Sequence, residues 1–172
     1  MASRNVDGTL TRLSMAADDM PATLDQTQGC LLGLALGDAF GAPFEGGFLE
    51  RSLWRMIGTN RRGERRWTDD TQMTIDVIES FLAHGTINTD DLALRFARSY
   101  RWSRGYGPGA AKILRRIAAG LHWSEANRSV YPQGSYGNGA AMRAPLIGLI
   151  FLDLPDELSE AVLASAVVTH AH

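Results

Sequence analysis

The segment Thr68-Asp69-Asp70-Thr71-Gln72-Met73-Thr74-Ile75-Asp76-Val77-Ile78-Glu79-Ser80-Phe81-Leu82-Ala83-His84-Gly85 decides the fold class. Met73, Val77 and Phe81 recur at four-residue steps with Ile78 and Leu82 beside them, which is the stripe of a helix and not the alternation of a strand. Thr68 is a residue type that caps helix starts, and two aspartates after it face the positive end of the helix dipole. Gly85 is a natural residue just past a helix end. The same start has a second reading. One hydroxyl and two carboxylates in adjacent positions are hard oxygen donors, of the kind that Mg²⁺ takes through one or two carboxylates while keeping several waters.

Upstream, the pattern predicts a first helix over Gln26 to Phe40. Gly29, Gly33, Gly37 and Gly41 recur every four residues, so one face carries almost no side chains. Leu and Ala fill its other faces, which predicts a central, buried helix. Asp38 is then a buried carboxylate in need of partners, and the neighbouring Gly41–Glu45 turn is within its reach. Residues 46–67 read as a loop, broken by Gly46-Gly47, Gly58 and Gly63. Downstream, a helix starts at Thr89 with Leu92, Phe96 and Tyr100 on its apolar face. Another runs from Pro108 to Gly120 on Ile113, Leu114 and Ile117, and a short one starts at Ser124. Residues 138–152 read as helical, with Pro145 either kinking that helix or marking its start. A last helix starts near Asp156 and carries Leu158, Val162 and Ala166. No segment alternates with period two, so the expectation is an all-α protein. Residues 1–24 lack periodicity and read as a mobile leader, leaving 25–172 as the domain.

Composition narrows the function classes. The chain has 172 residues, 45% hydrophobic and 21% charged, with a formal net charge of −2. Such a balance gives nucleic acid no claim as the main partner. Arg61, Arg62, Arg65 and Arg66 form a local basic cluster that is either a solvated loop or a device steering an anion. Cys30 is the only cysteine, so no internal disulfide forms, and it reads as a buried structural thiol. Residues 1–27 carry no apolar run of signal-peptide length, and the run from Gly29 to Phe44 is too short for a membrane span. The expected setting is the cytoplasm, without a membrane partner.

Other segments fall in a telling order around the opening motif. Gly33-Leu34-Ala35-Leu36-Gly37-Asp38-Ala39-Phe40-Gly41-Ala42-Pro43-Phe44-Glu45 precedes it. Arg104-Gly105-Tyr106-Gly107-Pro108-Gly109, then Gly134-Ser135-Tyr136-Gly137-Asn138-Gly139-Ala140-Ala141-Met142-Arg143, and finally Val167-Val168-Thr169-His170 follow. Together these resemble the ADP-ribosylglycohydrolase family, which includes the dinitrogenase reductase-activating glycohydrolases, from about Gln28 to the chain end.

The resemblance implies an orthogonal multi-helix bundle of that family's type. It also implies a metal-dependent hydrolase that removes ADP-ribose from modified protein side chains, with two Mg²⁺ or Mn²⁺ ions. By resemblance, Thr68, Asp69 and Asp70 are metal ligands and Glu45 is the catalytic carboxylate that handles the attacking water. Ser135, Tyr136, Gly137 and Asn138 hold ADP-ribose, His170 contacts the nucleotide, and the Arg104–Gly107 loop has a positioning role. A glycine-rich turn entering a helix suits that task, because its exposed N–H groups attract anions. The family completes its metal site with an Asp-x-Asp-Asp/Thr motif nearer the C-terminus. No acidic residue after Asp70 belongs to such a pattern. The chain therefore reads as the N-terminal part of the fold, lacking half of the metal ligands. The alternative is a catalytically incompetent ADP-ribose-binding protein, or a structural, crystallin-like helical protein. A partial fold also predicts exposed apolar surface and self-association.

Overall fold

The structure, a computed structural model, describes residues 22–171, with Glu50 described by its backbone alone. Most of the expected leader, residues 1–21, lies outside the described residues. Within them the protein is all-α, and the only β feature is an isolated antiparallel bridge between Thr59 and Arg65. The helices are α1 (Leu24–Gly41), α2 (Phe48–Ile57), α3 (Asp69–His84), α4 (Thr89–Ser99), α5 (Pro108–Ala118), α6 (Trp123–Arg128), α7 (Ala144–Ile150) and α8 (Pro155–Ala166). Short 3₁₀ turns cover Ala42–Phe44, Trp102–Arg104 and Ala141–Arg143.

Helix ends follow local chemistry. Thr23 and Gln26 form a reciprocal cap: the Gln26 N–H donates to the Thr23 hydroxyl at 3.2 Å, and the Thr23 N–H donates to the Gln26 side-chain oxygen at 2.9 Å. That pair starts α1 two residues before the expected Gln26, so Leu24 belongs to the helix and not to a leader. Helix α3 ends at Gly85, whose φ of 67° is the left-handed conformation that glycine adopts without strain. Pro145 marks the true start of α7, where its missing N–H costs no helical hydrogen bond.

The core lies among α3, α4, α5, α7 and α8. Helix α3 packs on α4, α4 on α5, and α5 on α6. Met73 and Val77 of α3 meet Leu92 and Phe96 of α4 and Ile113, Leu114 and Ile117 of α5 in one buried cluster, joined by Ile147, Phe151 and Val168. These are the positions that four-residue spacing singles out. Leu82 is 69% exposed, because it faces away from the side on which its neighbour Phe81 packs edge-on against Phe151 of the core.

Two elements differ from the sequence reading. Helix α1 is not central: Leu32, Leu36 and Phe40 are more than half exposed, and a Cβ added at Gly29, Gly33 or Gly37 would meet nothing within 4 Å. Its apolar residues are spread all round the axis, so composition alone could not say which side turns inward. Cys30 accordingly is half-buried and not part of the core. The segment read as loop over 46–67 contains α2. Gly47 and Gly58 flank it, and Trp54, buried among the described side chains of α2, anchors it.

Phe44, Phe48, Leu49 and Met56 are each more than three-quarters exposed. With Leu32, Leu36 and Phe40 they leave several large apolar side chains in water among the described residues, and exposed apolar surface favours association. Light scattering coupled to size exclusion is expected to show self-association that grows with concentration and weakens in a Leu36→Lys, Leu49→Lys variant. A monomer at all concentrations contradicts this.

Candidate functional site

The site begins with a carboxylate thirty residues away from the motif it supports. Asp38, on the last turn of α1, is buried and turns toward the start of α3. Its two oxygens accept the Thr68 N–H at 3.0 and 2.8 Å, and one of them also accepts the Thr71 N–H at 3.2 Å and the Thr71 hydroxyl. Backbone N–H groups at a helix start have no partner within the helix, and here a remote anion satisfies two of them. Thr68 adds its own cap, accepting the Asp70 N–H at 3.3 Å. Asp38 was expected to support the Gly41–Glu45 turn. The structure assigns its hydrogen bonds to α3 instead, because the unpaired N–H groups there bind a buried carboxylate more strongly.

So held, the start of α3 directs Asp69 and Asp70 into a cavity of about 600 Å³, with Glu45 on its rim. Glu45 follows the 3₁₀ turn of Ala42–Phe44, and its N–H donates to the Ala42 carbonyl at 3.3 Å. Burial, then the neighbouring charge of Asp70, raises the Asp69 carboxyl to about 7, with Asp38 and Glu45 adding smaller repulsions. Burial, then Asp38 and Glu45, raises Asp70 to about 6. The site thus gathers more negative charge than it neutralises, the condition that a cation relieves.

The Arg104–Gly107 loop buttresses this start. Arg104 donates to the Trp67 carbonyl at 2.7 Å and stacks on the Trp67 ring at 4.4 Å. Gly105 has φ of 84°, and an added Cβ would lie 3.7 Å from an Asp69 oxygen, so the backbone comes close to the motif. A second cavity of about 300 Å³ opens on the other side of the same acids. Glu45 and Asp69 line both, and the second adds Trp54, Trp102 and Tyr106.

Across the first cavity lies the glycine-rich turn. Ser135, Gly137, Asn138 and Gly139 line it together with His170, while the Tyr136 side chain is 86% exposed and stays outside the lining. A Cβ at Gly137 would come within 3.1 Å of His170 Nε2, and one at Gly139 within 3.0 Å of its Cε1. Glycine at both positions lets the imidazole close over the turn. His170 is held in place by the backbone: its N–H donates to the Ala166 carbonyl at 2.9 Å, and the residue is half-buried.

The sequence reading missed three contributors to this wall. Arg143 is fully buried, Thr169 nearly so, and both line the cavity. Tyr131 also lines it, and its ring occupies the place that a side chain at Gly109 would need. No local spacing marks any of them. An arginine just past a glycine-rich turn was the one available signal.

Among the described residues, no three His, Cys, Asp or Glu side chains converge tightly enough to hold a metal ion. The donors present are Asp69, Asp70 and Glu45, with the Thr68 hydroxyl already engaged as a cap. That set fits an ion of the Mg²⁺ kind only as part of a site, the remaining positions falling to water or substrate oxygens.

The sequence as a whole is similar to known proteins. The family model described as ADP-ribosylglycohydrolase matches residues 19–172. The protein named ADP-ribosylhydrolase ARH3 of Xenopus tropicalis is 35% identical over 164 residues, covering 88% of this chain and 47% of the relative. The ADP-ribosyl-[dinitrogen reductase] glycohydrolase of Rhodospirillum rubrum is 33% identical over 162 residues, covering 88% of this chain and 53% of the relative. The chain spans about half the length of the curated relatives it matches.

Asp38→Ala leaves the Thr68 and Thr71 N–H groups buried without an acceptor. It is expected to destabilise the protein by about 3 kcal/mol in urea unfolding, the scale of one or two hydrogen bonds to a charged group. A change below about 0.5 kcal/mol would contradict the anchoring role. The raised carboxyls have their own signature. Folded Asp69 and Asp70 hold protons that the unfolded chain releases near about 4. Their contribution therefore favours folding at low pH and is lost as pH rises through about 6 and about 7. In EDTA, the wild-type melting temperature is expected to fall relative to that of Asp69→Asn between about pH 4 and pH 7. A constant difference across that range contradicts the assignment.

Proposed function

This chain belongs to the ADP-ribosylglycohydrolase family, and on that premise we propose that it carries the ADP-ribose-binding wall and the first acidic motif of a hydrolase that removes ADP-ribose from protein side chains. The observation that carries the reading is convergence. Glu45, Asp69, Asp70, the 135–139 turn and His170 lie far apart in sequence yet surround one cavity, with acids on one wall and hydrogen-bond donors on the other.

In this reading the diphosphate lies on the glycine-rich turn, against backbone N–H groups and His170. The ribose carbon that bears the scissile bond then sits over Glu45 and Asp69, where the two cavities meet. The departing side chain leaves through the aromatic cavity of Trp54, Trp102 and Tyr106. Breaking the carbon–nitrogen or carbon–oxygen bond generates oxocarbenium character, which nearby carboxylates stabilise. Glu45, on the rim and in reach of water, takes a proton from the water whose oxygen bonds to the ribose carbon, while the departing nitrogen or oxygen keeps the electron pair of the broken bond and takes up one proton from solvent. Asp69 and Asp70, with Thr68 beside them, are the residues that would hold Mg²⁺ or Mn²⁺. Such an ion, when bound, orients the ribose hydroxyls and makes bound water more acidic.

One observation favours a second reading, a protein that binds ADP-ribose without turning it over: the described acids do not form a complete metal cage. One experiment separates the two. Release of ADP-ribose from an ADP-ribosylated arginine peptide and an ADP-ribosylated serine peptide is measured with Mg²⁺ and with excess EDTA, beside binding of ADP-ribose by calorimetry. The hydrolase reading expects release that EDTA abolishes and that Glu45→Gln lowers by at least about a hundredfold, the scale of a lost acid–base group. Binding without release on either peptide supports the second reading. Neither binding nor release contradicts both.

A further inference from the structure

Arg143 carries a charge that the proposed chemistry leaves unused. It has no exposed surface, and among the described residues no carboxylate forms an ion pair with it. Its donors go elsewhere. Nε donates to the Ser165 hydroxyl at 2.9 Å, and Nη2 donates to the Ser165 carbonyl at 2.8 Å and to the Thr169 hydroxyl at 3.0 Å. The guanidinium carbon lies 4.9 Å from the centre of the Phe96 ring. A guanidinium only donates, so the Thr169 oxygen must accept.

That oxygen also lies 2.8 Å from His170 Nδ1. If Nδ1 carried the hydrogen, Thr169 would accept from both neighbours, and its own hydrogen would be left without an acceptor in a place only 2% exposed. Leaving a buried donor unsatisfied is the costly outcome. With the hydroxyl oxygen turned to the cation, its hydrogen points away, onto Nδ1. Neutral imidazole has one donor and one acceptor nitrogen, so the ring hydrogen then resides on Nε2. Nε2 is the atom against the glycine-rich turn, 3.1 Å from a Cβ placed on Gly137. Burial and then the charge of Arg143 push the His170 pKa down, which keeps the ring neutral.

We propose that Thr169, oriented by Arg143, is a positioning residue that fixes His170 as its Nε2–H tautomer, a hydrogen-bond donor aimed at an acceptor oxygen of a phosphate on the glycine-rich turn. His170 is in consequence no general base, and the site selects ligands that offer it an oxygen. The phosphate rests on the ADP-ribose reading; the tautomer does not.

Long-range proton–nitrogen NMR on the ¹⁵N-labelled full chain at neutral pH reads the tautomer directly, and titration with ADP-ribose reads the contact. Wild type is expected to show a bare Nδ1 and a protonated Nε2 at His170, with the Nε2 signal moving on titration. Thr169→Val, close in shape but without the hydroxyl, should admit the Nδ1–H tautomer and weaken ADP-ribose by up to about tenfold, the worth of one hydrogen bond. Thr169→Ser should restore both. A wild-type His170 protonated at Nδ1 overturns the proposal, as does an unchanged tautomer in Thr169→Val. The expected tautomers with no response of wild type to ADP-ribose uphold the positioning role and overturn the ADP-ribose reading instead.

Discussion

The Asp38 carboxylate, donated to by the N–H groups of Thr68 and Thr71, is the constraint from which the site follows. Two consecutive aspartates at a helix start can face in several directions while the preceding loop is loose. Anchoring the first turn of α3 to the last turn of α1 fixes where Asp69 and Asp70 point, and brings Glu45, seven residues after Asp38, onto the same rim. A buried anion is tolerated only when its oxygens are filled, and here backbone and hydroxyl donors fill them. The anchor therefore joins stability and function in one group: whatever frees Asp38 also disperses the acids.

The cavity beyond that anchor is electrically divided. One wall holds Asp69, Asp70 and Glu45, and burial, followed by the charges of neighbouring carboxylates, keeps Asp69 and Asp70 well above the ordinary carboxylate range. The opposite wall holds glycine N–H groups, His170 and the buried Arg143, itself pushed down to about 10 by desolvation. Burying a guanidinium without an ion pair is costly, and its hydrogen bonds to Ser165 and Thr169 offset that cost in part. Charge so separated suits a ligand with an anionic end and a cation-seeking sugar, as a nucleotide sugar diphosphate has.

What the sequence makes legible follows from how far each signal reaches. Met73 and Val77, Leu92 and Phe96, and Ile113 and Ile117 declare their helices because core contacts impose a period on neighbouring residues. The acids at 69 and 70 and the 134–139 turn are visible as local patterns with more than one reading, and Glu45 is singled out by the family resemblance alone. Helix α1 misleads: a glycine face with leucines around it looks central, yet that face is open among the described residues. Helix α2 hides between Gly46-Gly47 and Gly58, glycines that end it without interrupting it. The partners of Asp38, and the path from Arg143 through Thr169 to His170, depend on contacts across 22 to 33 residues or on geometry after folding, so no spacing announces them.

The most direct test of the whole account is a crystal structure of the full chain grown with Mn²⁺ and ADP-ribose, using the anomalous signal of manganese to locate the ion. The account predicts manganese against Asp69 and Asp70, the diphosphate on the Gly134–Gly139 turn, and the reactive ribose carbon facing Glu45. Nucleotide density away from that turn, or manganese bound elsewhere while Asp69 and Asp70 stay bare, would contradict it.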